Sequence, residues 1–327
     1  MNPRLNTLLR NNRAAILRLA LLILIVIYFS ARASGFLDTG NLFSLMQAFA
    51  LLGLVAVGLA VTMIAGEFDL SVGSMVAVSG IIAIKTGGDG AGVGLAVAVL
   101  FGLGVGLVNG LLTVWLSVSS LVVTVGTQIM LTGLAYGLAG GQTVSYDNFE
   151  IASQVDQVIA TVFSPRSLVA IGACVVVWLL LRFTRLGRDI IATGSSRDAA
   201  SAAGARTRTA VVASFAISGT FAALAGGLLA FSLLSAAPTT GADLLLQAVS
   251  AAILGGVALS GGIGTVPGVA VGALTLTALN NGLSFVGASD AAISISNGLL
   301  LLAVVTISAG GPTRLLELVR RRRAVPG

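Results

Sequence analysis

From residue 14 onward the chain is a series of apolar runs of about 15–25 residues, each closed by a polar interruption. Within a run, polar and apolar residues do not alternate. In a bilayer every backbone N–H and C=O has to be satisfied inside the protein, which leaves helices or a closed barrel. A spanning strand shows alternating character over about 10 residues, whereas a spanning helix needs about 20 apolar ones. These runs fit helices. Charged residues are 9% of the 327, against about 25% in an ordinary soluble domain. The sequence therefore predicts an all-α polytopic membrane protein.

Residues 1–13 are polar and basic and form an expected cytoplasmic N-terminus, with a transmembrane region over 14–310 and a basic cytoplasmic tail over 311–327. The first run covers residues 14–31, with Arg18 near its start. Ala31-Arg32-Ala33 resembles a signal-peptidase site after a basic region, yet the stretch is long enough to remain as a span. Further runs cover residues 42–65, 92–116, 121–139, 167–181, 211–234 and 291–307. Residues 72–84 are shorter and read either as a span or as a re-entrant half-helix. The stretch 244–286 is too long for one crossing. It is broken at Ser260-Gly261-Gly262-Ile263-Gly264, and Pro267 suits the first turn of the helix that follows.

Counting residues 72–84 as spanning gives about ten transmembrane helices. All basic residues except Arg32, Lys85 and Arg166 then share one side with both termini, while Asp38, Asp89, Asp147, Glu150, Asp156, Asp243 and Asp290 face the other. Lys and Arg concentrate in cytoplasmic loops, so the termini and the polar segment 182–208 are expected in the cytoplasm. Making residues 72–84 re-entrant would flip that segment, unless another stretch changed as well.

Composition narrows the chemistry. The chain has no histidine, which removes His-based metal and acid–base sites, and Cys174 is its single cysteine. The one lysine, Lys85, follows Ile84, so there is no Gly-Lys-Ser/Thr of a phosphate-binding loop. No ATPase activity is expected of this chain, and no cofactor. The net charge of +6 sits in three clusters beside apolar runs, which speaks for membrane orientation and not for nucleic acid.

Segment 182–208 carries six arginines against two aspartates. Ser195-Ser196-Arg197-Asp198 has the form of a capping box, in which a Ser hydroxyl accepts from a first-turn N–H and the acid bonds back. Ala199, Ala200, Ala202 and Ala203 favour helix, and Gly204 suits the C-terminal stop. The result is a helix of about two turns, too short to be stable alone, which either docks against a partner or belongs to a solvated loop.

Three stretches carry a family resemblance. Gly66-Glu67-Phe68-Asp69-Leu70-Ser71-Val72-Gly73-Ser74 resembles the Gly-x-x-Asp-Leu-Ser-Val-Gly-Ser signature of the ribose-type permeases of bacterial ABC importers. Leu254-Gly255-Gly256 through Ser260-Gly261-Gly262 to Asn281-Gly282-Leu283 resembles their second glycine-rich block. Arg185-x-Gly187-Arg188 with Asp198-Ala199-Ala200 and Gly204 resembles their cytoplasmic coupling segment, although Ser195-Ser196 and Ala202-Ala203 depart from the usual neighbours. The resemblance implies a monosaccharide permease subunit in the bacterial inner membrane. Its implied partners are a second permease chain, two cytoplasmic ATPase domains that carry ATP and Mg, and an extracytoplasmic sugar-binding protein. It also implies that Arg197, Asp198, Ala199, Ala200 and Gly204 couple to the ATPase, and that Gly66, Asp69, Leu70, Ser71 and Gly73 sit at a gate.

Other readings stand beside these. Asp69 and Ser71 are equally suited to cap the helix that follows. Asn109, Gln128 and Asn281 lie in apolar runs and either line a translocation path or bond helix to helix. Gly102, Gly106 and Gly110, four apart, present a small face for close helix contact. From a different class, an ion-coupled secondary transporter would carry ionisable residues at membrane depth. Here Glu67 and Asp69 appear only at the edge of a run.

Overall fold

A computed structural model describes residues 3–88 and 90–308. Asp89 and the tail 311–327 lie outside them. Two ends of the bundle are convenient landmarks: the arginine end, which holds segment 182–208, and the acidic end, which holds residues 140–164.

α1 (Pro3–Arg32) leads to the acidic end, where Phe29 and Phe36 stack and Phe36 meets Phe285 edge-on. Arg18, the charge that interrupts the first run, lies against Gly256 and Gly268 at the arginine end. α2 (Thr39–Ile64) runs back to the arginine end. Residues 65–71 then re-enter the bundle as irregular backbone, and α3 (Val72–Thr86) completes the passage. α4 (Ala91–Trp115) and α5 (Ser120–Ala139) form the next hairpin. β1 (Val144–Ser145) and α6 (Phe149–Val155) cover the acidic end. α7 (Pro165–Phe183) returns to α8 (Arg185–Ser195) and α9 (Arg197–Ala202). α10 (Thr207–Leu233) rises to β2 (Ser235–Ala236), which pairs antiparallel with β1, Val144 opposite Ala236. Residues 237–243 turn inward, and α11 (Leu244–Leu254) finishes that passage. α12 (Val266–Phe285) climbs to the acidic end, and α13 (Asp290–Ser308) turns back alongside α11.

Local signals set these boundaries. Ser164 and Ser167 cap the start of α7 reciprocally, with Pro165 in the first turn. Thr265 accepts from the Gly268 N–H at the start of α12, where Pro267 falls as expected. α2 and α10 are the interior helices, with 89% and 72% of their spans buried, whereas α4 and α5 bury 22% and 17% and keep an open outer face. The small face of α4 does meet α10. A Cβ on Gly102 would collide with the Gly219 carbonyl, and one on Gly106 with the Phe215 carbonyl.

Among the described residues seven helices are long and apolar enough to cross a membrane, and Val72–Thr86, Leu244–Leu254 and Asp290–Ala303 are shorter. At about 1.5 Å per residue α3 covers roughly 22 Å and α11 roughly 16 Å, short of a hydrocarbon core of about 30 Å. By length α3 alone does not reach across such a core, which is the shorter of the two alternatives that the sequence leaves open for residues 72–84. α3 is a half-helix, and residues 65–71 supply the rest of that passage. The reason is a bonded loop: Asp69 reaches Ser218 well inside α10, and Ser71 reaches Asn109 inside α4. α3 thus starts roughly 10–15 Å in from the arginine end. α11 mirrors it, starting beside Leu51 and Thr277 at a comparable depth from the acidic end.

Candidate functional site

At the arginine end the three sequence motifs meet. Ile64 closes α2, and its carbonyl accepts from the Gly262 N–H at 2.9 Å. Gly194, near the end of α8, has no room for a Cβ, which would strike that same carbonyl. Gly66, with φ +82°, and Gly261, also with φ +82°, complete the contact. Backbone therefore touches backbone among the signature loop, the coupling segment and the second glycine-rich block.

The coupling segment is more ordered than a polar loop. α8 was not legible as a helix in an arginine-rich stretch, yet Thr184 caps it at Gly187, and Gly187, Asp189, Ile190 and Thr193 bury one face. In α9 the capping residue is Ser196, whose Oγ accepts from the Ala199 N–H. Ser195 Oγ donates instead to the Ile191 carbonyl. The expected reciprocal box with Asp198 is thus replaced by a single cap, because the helix starts one residue later. Gly204, with φ +81°, ends it: the Ala205 N–H reaches back to the Ala200 carbonyl at 2.9 Å. Ala200 is buried against the chain itself, while Ala199, Asp198 and Ser201 face outward. Arg197 forms an ion pair with Glu67 of the signature loop. Both border a cavity of about 440 Å³, together with Asp198 and Arg208.

The signature loop is held by hydrogen bonds on every side. The Phe68 N–H donates to Ser120 Oγ at 3.2 Å, and its carbonyl accepts from Thr124 Oγ1 at 3.3 Å, both on α5. Asp69 Oδ1 accepts from the Ser71 N–H and the Ser71 hydroxyl, and Oδ2 accepts from Ser218 Oγ at 2.7 Å. Asp69 is 1% exposed and sits inside the bundle, deeper than the edge position expected of it. It does not cap the free N–H groups of α3; it ties the start of α3 to α10. Leu70 is half-buried beside it. Asn109, buried in α4, donates to Ser71 Oγ at 3.3 Å and accepts from Thr127 Oγ1 at 2.6 Å.

The starts of the two half-helices come together. Gly73 and Gly241 approach so closely that a Cβ on either would lie 2.7 Å from the other's carbonyl oxygen. Beside them is a cavity of about 210 Å³. Gly73 and Ser74 line it from α3, Gln128, Thr132 and Tyr136 from one face of α5, and Thr239 and Thr240 from the segment before α11. Its polar walls are hydroxyl, amide and backbone groups, with no charged side chain among the described residues. Of the three amide residues expected along a path, Gln128 is in this cavity, Asn109 is in the Asp69 network, and Asn281 lies elsewhere. Asn281 and Asn41 exchange hydrogen bonds at 3.0 Å between α12 and α2. Sequence reasoning missed Glu67, Ser218 and Thr127 as partners. Glu67, an acid in a loop facing an arginine-rich segment, was the one detectable signal.

A helical membrane bundle with broken helices around an uncharged polar cavity, and a short helix presented at one end, is a multi-pass transport permease. The chain belongs to the family described as branched-chain amino acid transport system / permease component, which matches residues 41–308. The ribose import permease of Escherichia coli K12 is 31% identical over 88% of this chain and 91% of its own length. The L-arabinose ABC transporter permease of Azospirillum brasilense is 32% identical over 90% of this chain and 87% of its own. The autoinducer 2 import permease of Yersinia enterocolitica is 32% identical over 84% of this chain and 76% of its own. No solved structure matches the chain. The resemblance to ribose-type permeases holds, and the ion-coupled reading falls away.

Proposed function

We propose that this chain forms the translocation path of an ATP-driven, binding-protein-dependent importer for a monosaccharide or a similar small polar ligand. The observation that carries the proposal is the hydroxyl- and amide-lined cavity where α3 and α11 begin. Its lack of charged side chains suits a neutral polyol, and the permeases similar to this chain are named for ribose, L-arabinose and autoinducer 2.

In this reading the chain crosses the bacterial inner membrane ten times, with α3 and α11 each completed by irregular backbone. Both termini and the arginine end lie in the cytoplasm, as the distribution of Lys and Arg supports. Two ATPase domains dock at α9 and supply ATP and Mg, and an extracytoplasmic sugar-binding protein delivers the ligand to the acidic end. A second permease chain covers the outer face of α5, where Gly126, Gly133 and Gly137 have open space around them and which borders the cavity.

The test is uptake into proteoliposomes holding permease, ATPase and binding protein, with a panel of labelled pentoses and hexoses and with ion gradients collapsed by ionophores. ATP-dependent uptake of one sugar is the expected result. Uptake that needs an ion gradient and ignores ATP overturns the proposal.

A further inference from the structure

The Arg197–Glu67 ion pair joins the coupling helix to the loop that carries the start of α3. Glu67 has a side chain only 9% exposed, while that of Arg197 is 51% exposed at the head of α9. A surface pair of two mobile chains contributes little. A carboxylate this enclosed is costly once its partner is removed, so the loop and α9 hold one another in a fixed relation. From Glu67 the chain has little freedom. Phe68 is bonded to α5 through both its N–H and its carbonyl. Asp69 is bonded to Ser71 and Ser218. Ser71 takes a further bond from Asn109, and two residues later Gly73 and Ser74 form the wall of the cavity. The distance from α9 to that wall is a single short loop in which the polar side chains are bonded. α9 itself is bounded by an extended Ser196 and the left-handed Gly204, apart from the ladders of α8 and α10.

We propose that Glu67 is a positioning residue for transport. Through Arg197 it makes α9 and residues 66–71 move as one body, so that displacement of α9 by a docked ATPase shifts the start of α3 and reshapes the cavity. The inference rests on the proposed function. It requires the pair to persist through the cycle as a link, and it does not require the pair to hold the ATPase on.

The experiment uses the whole complex of permease, ATPase and binding protein in proteoliposomes, and reads ATP hydrolysed per sugar imported. Glu67→Gln and Arg197→Gln should raise that ratio roughly fivefold or more, with the ATPase still co-purifying with the Glu67→Gln permease. The exchanged pair, Glu67→Arg with Arg197→Glu, should bring it back toward the original value. A second variant guards against a pair that cannot fold when exchanged. Glu67→Cys with Arg197→Cys, in a Cys174→Ala background, is bridged by a bis-methanethiosulfonate reagent, and the bridged protein should regain coupled import. An unchanged ratio in Glu67→Gln overturns the proposal. So does loss of the ATPase from that variant, which would make the pair a docking element. Arrest of import on bridging also overturns it, since the pair would then have to open in each cycle. If the unaltered complex fails to import sugar on ATP, the proposed function itself is what fails.

Discussion

Gly194, near the end of α8, and Gly204, just past α9, stand on either side of that short helix, but different constraints act on them. A methyl group on Gly194 has nowhere to go, because the Ile64 carbonyl and the Gly262 N–H occupy its place and are bonded to each other. At Gly204 there is nothing within reach of a Cβ, and the only obstacle is the left-handed backbone, φ +81°. Gly204→Ala should therefore cost about 1–2 kcal/mol locally. Gly194→Ala forces two motifs apart and should cost at least the upper part of the roughly 1–3 kcal/mol typical of overpacking. Thermal unfolding of the purified permease in detergent checks the order. A Gly194→Ala protein as stable as Gly204→Ala would mean that the three-loop contact is looser than described. The stop at Gly204 was legible in the sequence, since a C-terminal glycine is a local signal. The crowding at Gly194 was not, because its neighbours are 130 and 68 residues away in Ile64 and Gly262.

Among the elements, α3 and α11 govern the site. Ser74 lies one turn into α3 and faces the cavity of about 210 Å³ beside Gln128 and Thr132. Ser74→Phe should fill much of that space and reduce import at least tenfold, with membrane insertion and ATPase co-purification unchanged. Uptake assays on the reconstituted complex measure it, and normal uptake would move the path elsewhere. Apolar runs gave the helices of this bundle directly, because hydropathy and length are local properties. They offered a half-helix as one of two readings of residues 72–84, and none for α11. In residues 65–71 the acids look like the edge of a run, and only Ser218, 149 residues later, and Arg197, 130 residues later, show why that backbone can enter the bundle. α8 was hidden for a related reason: its arginines dominate composition, while its buried face is set by what it packs on. Asn281 is a third case. In sequence it reads as path or helix contact alike; in the structure it bonds Asn41, 240 residues away, and also borders a cavity of about 320 Å³ with Gln247, Thr277 and Asn280.

At the scale of the whole molecule the chain has two working ends and an open flank. The exposed face of α9, where the proposed function docks the ATPase, is Ala199, Asp198 and Ser201, since Ala200 is turned into the chain. Ala199→Trp should block ATPase docking by overlap and abolish co-purification while leaving the permease's own thermal unfolding unchanged. Ala200→Trp should instead lower that unfolding temperature. Full retention of the ATPase by Ala199→Trp would remove α9 from the docking surface. The broken helices have one further consequence, which concerns the energy stored across the membrane. The break in both helices leaves a cavity walled by hydroxyl, amide and backbone groups. Such walls offer no carboxylate to offset the cost of stripping water from sodium or hydronium, while a neutral sugar loses little there. Liposomes containing the permease should hold an imposed proton gradient as long as empty ones, as followed with a pH-sensitive dye, and a fast leak would contradict this. A gap in two helices thus doubles as electrical insulation, letting a cell open a route for sugar without discharging its own battery.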